Sequence, residues 1–385
     1  MKRLGLYIHI PFCKRKCNYC DFYSCTETKY IGEYINALCT HIEREAPLYK
    51  NYEIDTIFFG GGTPSLIEPN DFKNLMSTIK GNFNIISSCE VTLEANPGTL
   101  TCDKLLCYKE NGINRLSIGL QSTYDSELKM LGRIHTYSEF IENFNLAREC
   151  GFDNISVDIM YSLPNQKREE LLTTLDKVCA LNPEHISSYC LKIEEKTPFG
   201  KIKDKLILPC EDEEYEMYIS MCELLEKNGY SQYEISNFSK KGFESKHNLK
   251  YWLSEEYIGF GPSAHSFFDG ERYYYNDDLD LYINQTKNGE VPKKETEKNE
   301  QIVHSSAQIS KEDEYVMLKM RLSQGVDSKE FYDYFGKDFL KFYPEIEKYL
   351  KSGHIVFENG RYYFTHEGFF VSNYILTDIL HFDGE

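Results

Sequence analysis

The sequence predicts an α/β fold, a parallel sheet with barrel-like connections, followed by a small helical domain. Three observations carry that expectation. Apolar strand-like runs alternate with helical patterns through the first half of the chain, and successive βα units build parallel sheets with right-handed crossovers. Glycine-, proline- or cysteine-rich turns follow several of these runs, at the strand ends where barrels of this kind carry their active sites. Beyond about residue 310 the pattern changes to short helices and one hairpin.

Leu4–Ile10 reads as the first strand, and a cysteine loop follows it. Ile31, Tyr34, Ile35, Leu38 and Ile42 then recur at helical spacing. Thr56–Phe59 is the second strand, stopped by Gly60-Gly61-Gly62-Thr63-Pro64, and a helix over 69–83 leads to a strand at Cys89–Leu93. Further strands fit Arg115–Gly119, Ile155–Met160 and His185–Leu191, with helices near 105–111, 137–150 and 169–181. Helices are expected at 313–322, 328–335 and 339–351, and Asn359-Gly360 between two apolar runs marks a hairpin. Three helices and a hairpin make a winged-helix-like unit. The expected division is a barrel with its extension over 1–286, a Lys-, Glu- and Ser-rich linker over 287–310, and a C-terminal domain over 311–385.

Composition narrows the function. The chain has 385 residues, 41% of them hydrophobic, enough for a large core, and a net charge of −18 with no basic block. Nucleic-acid binding needs phosphate-neutralising lysines and arginines on one face, so that class is excluded, and the acidic helical unit is given a structural or lid role. The 13 cysteines are an odd number spread over a long chain, which suits free or metal-bound thiols in a reducing cytoplasm. No run approaches the ~18 apolar residues of a membrane span.

Cys13, Cys17 and Cys20 stand in a C-x3-C-x2-C spacing directly after the first strand. Thiolates are the usual ligands of iron–sulfur clusters. Three on one short loop hold three irons of a cubane and leave the fourth open, as a reaction centre. Structural zinc is the competing reading, but it asks for four closed ligands, and no second C-x2-C exists in the chain. Cys25 fits no ligand spacing and reads as a free thiol.

Around that loop the remaining candidates are read against simpler roles. Gly60–Gly62 is either a plain turn or a place where backbone approaches a ligand, with Thr63 adding a hydroxyl. Glu94, Gln121, Arg133 and Asp158 fall at or just beyond strand ends; singly each reads as a cap, together as hydrogen-bonding groups for ribose hydroxyls and an amino acid moiety. His247, in His247-Asn248-Leu249-Lys250-Tyr251-Trp252, is either a satisfied structural histidine or an axial ligand to heme iron.

The blocks Tyr7-Ile8-His9-Ile10-Pro11-Phe12-Cys13, Tyr19-Cys20-Asp21-Phe22, Phe59-Gly60-Gly61-Gly62-Thr63-Pro64, Leu93-Glu94-Ala95-Asn96-Pro97-Gly98, Ser117-Ile118-Gly119-Leu120-Gln121-Ser122 and Leu131-Gly132-Arg133 resemble the radical SAM superfamily. They are most similar to the branch holding oxygen-independent coproporphyrinogen III oxidase and the heme chaperones. The resemblance runs through nearly the whole chain. It implies a partial (β/α)6 radical SAM barrel with a C-terminal winged-helix-like domain. It also implies a 4Fe–4S cluster on Cys13, Cys17 and Cys20, whose open iron chelates the amine and carboxylate of S-adenosylmethionine. Tyr7, Tyr19, Gly61, Gly62, Thr63, Glu94, Gln121, Arg133 and Asp158 are the implied contacts to that cofactor. One electron passed into the sulfonium would release methionine and a 5′-deoxyadenosyl radical.

Within the branch, the oxidase has an N-terminal extension and a further cysteine two residues after the third ligand, where this chain has Phe22. The short N-terminus, Asp21-Phe22 and His247-Asn248-x-x-Tyr251 resemble the heme chaperones. The implied function is therefore heme binding and transfer to acceptor proteins, membrane-bound respiratory enzymes among them, with His247 as the axial ligand and a homodimer allowed. The alternative is oxidative decarboxylation of coproporphyrinogen III propionates. Ser162, Asn165 and Ser263 stand where the family commonly has glycine, which makes loop geometry the point to examine.

Overall fold

The computed structural model describes residues 1–296 and 309–381. Six strands follow one another with helices between them: β1 (Lys2–Ile10), α1 (Ile31–Glu45), β2 (Tyr52–Gly61), α2 (Pro69–Asn82), β3 (Ile85–Ala95), α3 (Cys102–Glu110), β4 (Arg115–Gln121), α4 (Asp125–Met130), α5 (Tyr137–Glu149), β5 (Ile155–Tyr161), α6 (Arg168–Ala180) and β6 (His185–Cys190). These strands pair in parallel and in chain order. That is the expected α/β arrangement.

The sheet then grows at both edges. After α7 (Glu211–Lys227), β7 (Ser231–Glu234) and β8 (Asn237–Ser239) add antiparallel beyond β6. The chain crosses through α8 (Lys246–Trp252) to β9 (Tyr257–Phe260), which pairs in parallel with β1. Antiparallel β10 (His265–Phe268) and β11 (Glu271–Tyr275) come next, then α9 (Leu279–Lys287) and β12 (Lys294–Thr296). Twelve described strands form one open sheet, with β12 and β7 at its ends.

This extends the sheet past the boundary expected at residue 286. Lys294–Thr296, read as linker from its charge, is an edge strand on β11, and Lys294 Nζ sits 2.9 Å from the buried Glu45 carboxylate. A charged edge strand has the composition of a linker. Residues 297–308 of the expected linker lie outside the described residues.

The C-terminal unit runs α10 (Lys311–Lys319), β13 (Val326–Asp327), α11 (Ser328–Phe335), α12 (Phe339–Phe342), α13 (Ile346–Ser352), β14 (Ile355–Glu358), β15 (Arg361–Phe364), α14 (His366–Phe370) and α15 (Ser372–Ile379). Asn359 and Gly360 both take positive φ, 51° and 81°, as a tight hairpin demands. The single helix expected over 339–351 is two, because Pro344 between them cannot continue a helix. Ser323 N donates to Tyr233 O at 3.0 Å and ties this unit to the large sheet.

Period-2 alternation in the strands sorts side chains to two environments. Leu4, Leu6, Ile8 and Ile10 of β1, with Leu116, Ile118 and Leu120 of β4, are fully buried in the apolar core under the helices. The other face is polar. There Ser117 Oγ donates to Asp158 at 3.1 Å, and Ser156 Oγ meets His185 Nδ1 at 2.8 Å. α8 packs into this polar side: Lys250 Nζ reaches Asp55 and Glu255 at 2.9 and 3.0 Å, and Gly5 leaves room for its stem, since a Cβ there would stand 2.9 Å from Lys250 Cδ.

Ser162, Asn165 and Ser263 adopt φ of 59°, 61° and 62°. The loops thus keep a left-handed backbone without glycine. Ser162 Oγ adds a 2.7 Å bond to Glu214, Asn165 N donates to Ile207 O at 2.7 Å, and Ser263 N to Tyr275 O at 2.9 Å.

Candidate functional site

A cavity of about 580 Å³ opens at the C-terminal ends of β2 to β6 and is roofed by the cysteine loop. Cys13, Cys17, Cys20, Tyr19, Gly61, Gly62, Thr63, Glu94, Gln121, Arg133 and Asp158 all line it. Side chains from β3, β4, β5 and β6 reach the same space, so the sheet wraps around it.

The loop is held by backbone. Cys13 N donates to Cys25 O at 2.9 Å, and Cys25 N to Pro11 O at 2.7 Å. Cys25 thus closes the loop through its main chain, and its side chain is not part of the cavity wall. At the far end Asn18 N donates to Leu131 O and Phe199 N to Asn18 O, each at 2.9 Å. Gly62 N and Thr63 N donate to Ile10 O and Phe12 O at 2.9 and 2.7 Å, pinning the glycine run beneath the loop. Gly61 takes φ of 105°, a conformation that favours glycine.

The three thiols are partly exposed into the cavity. Thr63 Oγ1 lies 3.5 Å from Cys13 Sγ, and Arg133 Nη1 3.6 Å from Cys17 Sγ. Burial pushes the Cys13 and Cys20 thiols up, Cys20 to about 11, so metal binding must release their protons. Among the described residues no three Cys, His, Asp or Glu side chains converge as ligands of one ion. Thiolates that each bind a different iron of a cubane have no need to converge.

The opposite wall is charged. Arg133 Nη2 donates to Asn96 Oδ1 and Gly119 O, both at 2.5 Å. A Cβ on Gly119 would stand 3.1 Å from that Nη2, so the glycine makes room for the guanidinium. Arg133 Nε is buried without a partner among the described residues, a donor left over for a guest. Gln121 takes φ of 74° at a register shift between β4 and β5, which turns the end of β4. Burial first, then Asp158, pushes Glu94 up to about 8, and burial also raises Asp158. Because the folded value of Glu94 lies above its ordinary 4.5, the folded state holds the extra proton between those values and stability falls as pH rises through that window. In the cluster-free protein the Glu94 contribution to urea resistance is therefore expected to fall from about pH 4.5 to about pH 8, read as the difference between wild type and Glu94→Gln at each pH; a difference that does not change with pH would count against this placement.

Two expected site residues lie elsewhere. Tyr7 sits below the cavity, its hydroxyl 3.1 Å from His9 Nδ1 and its ring stacked on Phe58 at 6.2 Å. His247 is fully buried on α8. Its Nδ1 is 2.8 Å from Thr56 Oγ1, its Nε2 2.9 Å from Tyr251 OH, and its ring stacks on Phe58 at 5.3 Å. Burial, then Lys250 and Arg115, brings its pKa down to about 3. In this conformation both ring nitrogens are hydrogen-bonded and no solvent reaches the ring.

Other residues line the walls as well, among them Asn96, Ser117, Gly119, Met160 and Tyr189. Asn96 and Gly119 each stand two residues from a candidate, Glu94 and Gln121. With Ser117 they lie in the blocks that carry the resemblance. The orphaned Arg133 Nε and three thiols on one rim fit a cluster with an amino acid–bearing nucleoside beside it.

Comparison with known proteins places this geometry. Residues 7–178 match the radical SAM superfamily and residues 312–371 the HemN C-terminal domain. The chain is 37% identical over 372 residues to heme chaperone HemW of Bacillus subtilis (strain 168), covering 95% of this chain and 96% of that protein. It is 39% identical over 272 residues to heme chaperone HemW of Escherichia coli (strain K12), covering 69% and 71%. Among solved structures, coproporphyrinogen III oxidase (HemN) from Escherichia coli superposes with a TM-score of 0.81 at 22% identity, over 98% of this chain and 89% of that one; this shows a shared fold. Superfamily membership implies a 4Fe–4S cluster and S-adenosylmethionine. No described helix is long and apolar enough to cross a membrane. With its parallel sheet, cysteine loop and strand-end cavity, the chain belongs to the radical SAM superfamily, in the family of the HemW proteins.

Proposed function

We propose that this protein is a cytoplasmic heme carrier that binds heme and passes it to acceptor proteins. The observation that carries the reading is similarity to HemW chaperones along almost the whole chain, over a cavity that keeps all three loop cysteines. Cys13, Cys17 and Cys20 would hold three irons of a 4Fe–4S cluster, with the fourth left for S-adenosylmethionine; these groups supply one-electron chemistry at a sulfonium. The chain's own part is placement. Gly61 leaves room for the His9 ring and Gly62 lets the cysteine loop approach β2, Arg133 Nε offers a hydrogen bond, and Gln121, Glu94 and Asp158 present polar groups for the nucleoside. Tyr19 stands on the loop beside the sulfurs, and Tyr7 braces the wall from below.

For heme, the ligand proposed from the sequence is His247. From the observed position its ring reaches iron only if α8 lifts and the bond from Nε2 to Tyr251 breaks. The expected results follow from that gate. In an anaerobic titration with one equivalent of heme, wild type forms a stable complex with no conversion of coproporphyrinogen. His247→Ala loses the complex, and Tyr251→Phe, which frees Nε2 while keeping the ring, tightens it. Unchanged affinity in both variants would assign His247 to holding α8 against β2 and give heme another ligand. Formation of protoporphyrinogen from coproporphyrinogen would overturn the carrier reading.

A further inference from the structure

Away from the cavity, on the outer helical layer, two thiols touch. Cys102 Sγ and Cys150 Sγ are 3.9 Å apart, with Cys102 exposed and Cys150 half-buried. Cys102 is the first residue of α3, just after the Thr101 cap, and Cys150 is the C-cap of α5. Neither spacing nor resemblance marks this pair, and neither residue lines the cavity.

We propose that Cys102 and Cys150 form a reversible redox-modification site whose substrate is a low-molecular-weight disulfide. The two sulfurs differ in a way that sets the order of events. Cys102 is exposed and open to an incoming disulfide, whereas Cys150 is half-buried, and the carbonyl end of α5 disfavours a thiolate there. Burial, then the Cys102 contact, raises the Cys150 thiol further. Cys102 is therefore the attacking sulfur. Its thiolate displaces one thiolate from the incoming disulfide and leaves a mixed disulfide on Cys102. Cys150 then gives up its proton and attacks the Cys102 sulfur, expelling the second small thiolate. Two protein S–H bonds become one S–S bond, and the disulfide is reduced to two thiols that take up the two protons. Closing the gap from 3.9 Å to the roughly 2.05 Å of a disulfide is a shift on the scale of side-chain rotation. The bond would tie α3 to α5, which already touch, and close a covalent loop over residues 102–150.

The test is to incubate the full, cluster-reconstituted chain anaerobically with oxidised glutathione and map its peptides without reduction. The expected wild-type product is a peptide pair joined through Cys102 and Cys150, reversed by dithiothreitol, with two titratable thiols lost. Cys150→Ser should stop at a stable glutathione adduct on Cys102, and Cys102→Ser should give several-fold less adduct at Cys150. A wild-type chain that keeps adducts on Cys102 with no joined peptide would overturn the proposal, as would equal reactivity of the two single variants. The wild-type map stands alone should either variant fold poorly.

Discussion

Replacing Cys13, Cys17 and Cys20 together with alanine is expected to abolish iron binding while leaving the fold intact. Reconstituted wild type should carry about four irons per chain and the broad visible absorption of a cluster; the triple variant should carry none. The fold is expected to survive because the loop hangs on main-chain bonds, from Cys13 to Cys25 and from Asn18 to Leu131 and Phe199, which alanine keeps. The cluster-free forms should therefore unfold within about 1–2 kcal/mol of each other, since the three substitutions are at partly exposed positions and remove only the long contacts from Thr63 and Arg133. Iron counting, the visible spectrum and urea unfolding measure all three quantities. Uptake of one zinc and no iron by the wild type would make the loop a structural metal site instead.

The second large effect falls on a residue with no reactive group. A Cβ at Gly62 would stand 2.7 Å from Phe12 O and 2.8 Å from both Ile10 O and Phe12 N. All three are backbone atoms, and two of them accept the bonds that pin the glycine run under the loop. Gly62→Val must therefore push the cysteine loop away from β2. The expected cost is about 1–3 kcal/mol from overpacking, with iron content after reconstitution falling at least severalfold. Gly81→Ala is the control. A Cβ there meets nothing within 4 Å, and alanine in a helix gains up to about 1 kcal/mol over glycine. Equal iron retention in Gly62→Val and Gly81→Ala would mean that the close approach does not support the loop.

The same contrast separates what could be read in the chain from what could not. The cysteine spacing, the glycine run and the βα alternation are local patterns, so they were visible residue by residue. The Asn359-Gly360 turn was as well, since left-handed backbone is a local preference. The missed strands lacked such signals. α7 did not: behind Glu211-Asp212-Glu213-Glu214, an acidic start that suits a helix N-terminus, Met217, Tyr218, Met221, Cys222 and Leu225 recur at helical spacing. β7 to β12 are short, three to five residues each, too brief to show a period.

By itself the sequence determined the alternating α/β plan, the three thiols on one loop and the hairpin, because each depends on neighbours a few residues apart. Only the tertiary structure decided that side chains from four separate strands and the cysteine loop share a cavity. It alone buried His247 between Thr56 and Tyr251 and brought Cys102 against Cys150. Those facts depend on register and helix docking between distant segments, where a shift of one residue turns every side chain to the other face.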